Sequence, residues 1–189
     1  MWKDNTAFVL QDLGGTGSNF AYAISNRGQI VGQVGTADGT TFYAAVWQNG
    51  ADGAVTNLGV LPGDFAAFAT GINNRGQVVG NNFDSKFNWS RGFIWQDGVM
   101  TDLNTLIPED SNLFIISASN INERGQISGM ATVQTGPHAG DIHAYLLTPI
   151  DGRIGASMAD FARTHPHSIL PANACNHSLQ RLGPGRFQR

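Results

Sequence analysis

Ile72-Asn73-Asn74-Arg75-Gly76-Gln77-Val78-Val79-Gly80 is the stretch from which the fold can be read. It recurs without gaps as Ile24-Ser25-Asn26-Arg27-Gly28-Gln29-Ile30-Val31-Gly32 upstream and Ile121-Asn122-Glu123-Arg124-Gly125-Gln126-Ile127-Ser128-Gly129 downstream. The turn glycines Gly28, Gly76 and Gly125 lie 48 and 49 residues apart. Such a period points to a propeller, a solenoid or another array of one repeated unit. In each copy a short polar residue opens a turn and Gly takes its left-handed position. That chemistry suits a type I turn with a G1 bulge between two strands.

Two further segments follow each turn in order. Ala44-Ala45-Val46-Trp47-Gln48-Asn49-Gly50 and Gly92-Phe93-Ile94-Trp95-Gln96-Asp97-Gly98 show the period-two alternation of a strand, then Asn-Gly or Asp-Gly for a type I′ turn. The third copy diverges as Ala144-Tyr145-Leu146-Leu147-Thr148-Pro149. Thr56-Asn57-Leu58-Gly59 and Thr101-Asp102-Leu103-Asn104 close the first two units. Each unit therefore reads as a four-stranded meander, with strands near 66–72, 77–81, 91–96 and 99–103 in the second.

The units span residues 20–58, 65–103 and 114–147, with no helical periodicity anywhere in 1–149. Trp2 to Leu13 repeats the spacing of Trp47 to Leu58, so a strand over 6–14 is expected to complete the last unit. The chain starts and stops inside a unit, as a fragment of a longer repeat protein would. The expected fold is all-β, a propeller-like array of four-stranded antiparallel blades with three blades per chain. A β-trefoil, which also has three units of four strands, is the alternative.

Composition fits this reading. The 24 glycines among 189 residues are nearly twice the usual ~7% and suit a chain of many tight turns. Charged residues make up only 13%, and 41% apolar residues are enough to bury a core. A net charge of −3 without a Lys/Arg cluster argues against nucleic acid as a partner. No apolar run approaches the roughly 20 residues of a membrane span. Met1-Trp2-Lys3-Asp4-Asn5 does not begin a signal peptide, and the lone Cys175 leaves no internal disulfide. Residues 151–189 hold five Arg against two Asp, and the repeat is gone. Pro166, Pro171 and Pro184 break that stretch. Residues 150–189 therefore read as a poorly ordered basic tail outside the 1–149 repeat domain.

The ordered series Ile-Asn-x-Arg-Gly-Gln-Val-Val-Gly, Arg-Gly-Phe-Ile-Trp-Gln-Asp-Gly and Met-Thr-Asp-Leu resembles the bacterial HAF extracellular repeat family over residues 1–149. The His-Ala-Phe step that names the family stands here as His143-Ala144-Tyr145. The other units depart from it, as Tyr43-Ala44-Ala45 and Arg91-Gly92-Phe93. The resemblance implies a secreted or surface β-repeat protein and brings no catalytic residues.

The candidate ligand-binding residues are Phe83, Phe87, Trp89 and Arg91. Three aromatics in the polar stretch 82–90 are unusual for a solvated loop, and exposed apolar clusters often mark partner sites. Trp47 and Trp95 either stack on sugar rings or pack between adjacent sheets, and their alternation with Val46 and Ile94 favours packing. Arg27, Arg75 and Arg124 recur at one turn position, as anion ligands or as ordinary solvated tips. His138, Asp141 and His143 have ligand types suited to a divalent metal such as zinc, with a position left for water. His165, His167, Cys175 and His177 offer four more donors, without the usual paired spacing.

Two functions from different classes follow. The first is an extracellular binding or structural module for glycan or protein ligands. The alternative is a metal-dependent hydrolase of small phosphate or carboxylic esters, with His138, Asp141 and His143 at the mouth of an oligomeric propeller. Propellers carry 4–8 blades, so three should not close alone. A homodimer forming a six-bladed ring by strand exchange is expected.

Overall fold

The computed structural model describes residues 7, 9–14, 18–48, 53–87 and 90–149. The chain divides after Ala156, and everything below belongs to the part before that point. The 150–189 tail with its four metal-type donors, Trp89, Trp2 and the Asn49-Gly50 turn lie outside the described residues.

Eleven strands are described, and no α-helix accompanies them. The first unit comprises β1 (Phe20–Ile24), β2 (Ile30–Gly35), β3 (Phe42–Trp47) and β4 (Val55–Gly59). The second comprises β5 (Ala66–Ile72), β6 (Val78–Phe83), β7 (Ser90–Gln96) and β8 (Val99–Asp102). The third holds β9 (Leu113–Ile121), β10 (Ile127–Val133) and β11 (Ile142–Leu147). Each unit is a separate antiparallel sheet with its strands in chain order. No helix among the described residues is long and apolar enough to cross a membrane.

The repeated motif explains the first hairpin of every unit. Gly28, Gly76 and Gly125 have φ of 77°, 78° and 76°, where an L side chain is disfavoured. The residue opening each turn caps it. Asn73 Oδ1 accepts from the backbone N–H of Arg75 at 3.0 Å and of Gln77 at 3.1 Å. Ser25 and Asn122 do the same for their own turns. Asp97 and Gly98 have φ of 52° and 85°, both positive as the type I′ turn between β7 and β8 requires.

The glycine that ends each motif has another cause. β1 and β5 carry bulges, and β9 shifts register against β10. A Cβ on Gly32, Gly80 or Gly129 would fall onto the carbonyl oxygen of Phe20, Phe68 or Ser117 respectively. Only glycine lets the second strand run under the bulge.

The sheets stack face to face. Val31, Val46 and Leu58 of the first unit meet Ala69, Val78 and Phe93 of the second. One repeat later, Val79, Ile94 and Leu103 meet Ala118, Ile121 and Ile127 of the third. Full burial of such side chains contributes roughly 1.5–3 kcal/mol each. Polar bonds run along the stack as well. Asn26 N–H donates to Asn74 Oδ1 at 2.8 Å, and Asn74 N–H donates to Glu123 Oε1 at 3.1 Å.

The third sheet has three strands, and the described residues of the 6–14 segment belong to none. Leu10 packs instead against Val34, Ala45 and Trp47 of the first unit, where Trp47 Nε1 donates to the Gln11 carbonyl at 2.6 Å. Trp47 is thus a core residue, as its alternation with Val46 suggests.

Candidate functional site

Phe20 and Phe68 occupy the same bulge position in successive units, one repeat apart. Stacking the sheets brings their strands together, so the two rings converge on Tyr22, which joins them. Phe20 and Tyr22 alternate along β1 and share a side, with parallel rings 6.4 Å apart. Tyr22 meets Phe68 at 5.8 Å. Phe68 then contacts Phe83 at 5.1 Å and Phe42 at 6.3 Å.

Phe87 gathers the other end. Its ring touches Phe42 at 5.9 Å, Phe83 at 5.7 Å and Phe65 edge-on at 6.3 Å. Its backbone sits at φ 55°, a region that bulky L residues rarely enter. The tight turn in which Phe87 N–H donates to the Asp84 carbonyl, at 3.1 Å, holds it there. Strain of this kind persists where surrounding contacts over-determine it, and it concentrates at functional sites.

Among the described residues, seven rings therefore form one connected surface across the first two units. Phe20, Tyr22 and Phe87 remain 48%, 50% and 49% exposed. Polar groups border the surface. Tyr22 donates its hydroxyl to Gln33 Oε1 at 3.1 Å, and partial burial raises its pKa, so it stays a donor. In the turn leading to Phe42, Asp38 accepts from the Thr36 hydroxyl at 2.6 Å and the Thr40 hydroxyl at 2.9 Å. Those bonds, the Thr36 hydroxyl first, lower its pKa and keep it anionic.

Of the four residues picked from sequence, Phe83 and Phe87 belong to this surface. Phe83 ends β6 rather than lying in the loop. Arg91 is placed elsewhere. Its Nε and Nη1 pair with Asp64 and Asp102, each at 2.8 Å, and Nη2 donates to the Pro62 carbonyl at 2.8 Å. Burial works to lower its pKa, but the two carboxylates outweigh this and raise it. Arg91 ties the β4–β5 connection to β7 and β8.

The metal candidates are not gathered. His138 Nδ1 lies 3.2 Å from Asp141 Oδ2 in an exposed turn, and His143 stands in β11 paired with Ala131. Among the described residues no three of His, Cys, Asp or Glu are placed to share an ion. Arg27, Arg75 and Arg124 are exposed hairpin tips, and Arg75 donates to the Glu123 carbonyl of the next unit. A shallow hollow lined by Ile94, Gln96, Asp97, Val99, Thr101 and Leu106 presents a single carboxylate.

Sequence reasoning missed Phe20, Tyr22, Phe42, Phe65 and Phe68 as surface residues. The available signal was the recurrence of Phe20 as Phe68 at the repeat period, where the third unit has Ser117. Comparison with known families, with curated proteins and with solved structures finds no match.

Proposed function

We propose that this protein is a binding module whose aromatic surface takes an apolar segment of another protein. One observation carries the reading: seven rings in mutual contact, three of them half exposed. Connected apolar patches of this kind mark interaction sites, and aromatic anchors dominate binding energy at protein interfaces. The chemistry favours a peptide over a sugar. Six of the seven rings are Phe, with no hydrogen-bonding group, and most neighbouring rings are tilted by 30° or more. Tilted rings leave clefts for aliphatic side chains, whereas a pyranose needs a flat face with polar groups beside it.

The supporting scaffold is best read as a propeller array. Strands pair only within their own unit, and successive sheets stack on equivalent faces, as blades do. A trefoil would need strands of different units to pair in one barrel. The HAF resemblance supports display outside the cell.

Panning a displayed peptide library against the immobilised protein tests the reading. Enriched peptides should carry spaced Leu, Ile or Phe residues. Calorimetry should show affinity falling by at least about tenfold in Tyr22→Ala and Phe87→Gly, the scale expected of truncated anchors. Peptides indifferent to both changes, or neutral oligosaccharides competing at these rings, would overturn it.

A further inference from the structure

The turn between β2 and β3 fixes a negative charge at one end of the aromatic surface. Gly35 pairs with Phe42, and just beyond them Thr36 N–H donates to the Thr41 carbonyl at 2.9 Å. Asp38 lies in the short turn that this bond closes, beside Gly39 at φ 68°. Thr41 also ties the turn to the second unit, donating its hydroxyl to the Phe65 carbonyl at 3.1 Å. The turn is thereby anchored beside Phe42 and Phe65, whose rings both contact Phe87.

The two oxygens of the Asp38 carboxylate are used unequally. Oδ1 accepts from the Thr36 hydroxyl at 2.6 Å, the Thr40 hydroxyl at 2.9 Å and the Thr40 N–H at 3.1 Å. Oδ2 accepts from no other described residue. Three donors on one oxygen orient the group before any ligand arrives, which lowers the cost of ordering it on binding. The neighbouring charges are engaged or opposed. Asp64, next to Phe65, is paired with Arg91, while Asp84 and Lys86 bring opposite signs to the turn of Phe87. Residues 1–150 carry twelve Asp and Glu against six Lys and Arg, a balance that repels acidic segments.

We infer that the apolar segment taken by the aromatic surface carries a lysine whose ammonium binds Asp38 Oδ2, with neighbouring Leu, Ile or Phe side chains seated on Phe42, Phe65 and Phe87. The inference rests on the peptide reading of that surface and names the charge its ligand must bring. Lysine fits better than arginine. A guanidinium gains its advantage from two parallel bonds to both carboxylate oxygens, and here Oδ1 already holds three donors. An ammonium is a point charge on a flexible stem and needs only one open oxygen. That stem is apolar, which suits a path across phenyl rings to a charge at their rim.

A displayed library of short random peptides, panned in parallel on the parent chain and on Asp38→Asn, tests the inference. The Asn side chain keeps Oδ1 as an acceptor for Thr36 and Thr40 while removing the charge, so the far-ultraviolet spectrum should be unchanged. The parent should enrich Lys over Arg beside spaced apolar residues. Asp38→Asn should enrich the same apolar residues without the Lys. For one synthetic peptide from the parent selection, calorimetry should show binding weakened by about three- to fivefold in Asp38→Asn, the scale of an exposed ion pair. Changing the peptide's Lys to Gln should cost the same, and the two changes together no more than either alone. The loss should fade near 1 M salt, where the Debye length falls to about 3 Å. Apolar peptides enriched with no Lys preference, equal enrichment of Arg, or independent losses would overturn the inference and leave the peptide reading in place. Enrichment of no apolar peptide at all would overturn both.

Discussion

The carbonyl oxygen of Phe68 occupies the space in which Gly80 would carry a Cβ, and the ring of Phe93 closes the same space from another side at 2.7 Å. Earlier in the same motif, Gly76 has open space around its missing Cβ but a φ of 78°. The two glycines of one motif are thus required for different reasons. Gly80→Ala must displace backbone and should cost about 3 kcal/mol, the upper range for overpacking. Gly76→Ala should cost roughly 1–2 kcal/mol, the penalty of a left-handed L residue. Urea denaturation midpoints would rank them, and a reversed order would refute the bulge argument.

Asn73 and Asn122 are the same turn residue in different surroundings. Buried Asn73 caps its own hairpin and also donates Nδ2–H to Gln77 Oε1 at 2.6 Å and to the Asn122 carbonyl of the next unit at 3.0 Å. Asn122 is exposed, so water can replace its side chain. Asn73→Ala should cost about 2–3 kcal/mol and Asn122→Ala about 1 kcal/mol or less. Equal losses in thermal or urea unfolding would mean that the bond between units contributes nothing.

Arg91 carries a structural role that can be tested apart from binding. The side chain of its partner Asp64 is fully buried; Asp64 Oδ2 accepts from Arg91 Nε–H, and Oδ1 has no hydrogen-bond partner. Arg91→Met would leave that carboxylate buried without its cation and should cost roughly 3 kcal/mol. Adding Asp64→Leu should recover most of the loss, because the pair is then replaced by apolar packing. Any peptide bound by the aromatic surface should keep its affinity in the folded double variant. Loss of affinity by calorimetry would return Arg91 to the binding site.

The architecture was legible because its signals are local. A turn glycine declares its φ within a single short motif, and three copies of the turn declare the period. The bulge glycines were legible only as repeated letters, since the carbonyl each one meets lies across the hairpin on a neighbouring strand. Phe83 and Phe87 stood out against a polar loop. Phe20, Phe42 and Phe68 did not, because a strand Phe is ordinarily a core residue, and only the stacking of two units puts these three side by side. The ion pairs of Arg91 were hidden for a similar reason. Arg91 lies close to Phe87 in sequence, while its carboxylate partners lie 27 and 11 residues away.

Tyr145 should make the protein sensitive to alkali. It packs against the core between the second and third units and donates its hydroxyl to the Ser117 carbonyl at 2.9 Å, within the same sheet. Burial pushes its pKa well above the ordinary value of 10.0. A tyrosine is neutral when protonated, so a raised folded-state pKa means that the folded state holds its proton where the unfolded chain releases it. The contribution is therefore complete below pH 10.0 and declines as pH rises from there towards the folded value. Tyr145→Phe removes the titrating group and one hydrogen bond. It should lower stability at neutral pH by about 1 kcal/mol and flatten the decline above pH 10.0. Urea denaturation across that range compares the two proteins. Parallel declines would assign the alkaline sensitivity to other groups and remove Tyr145 from the argument.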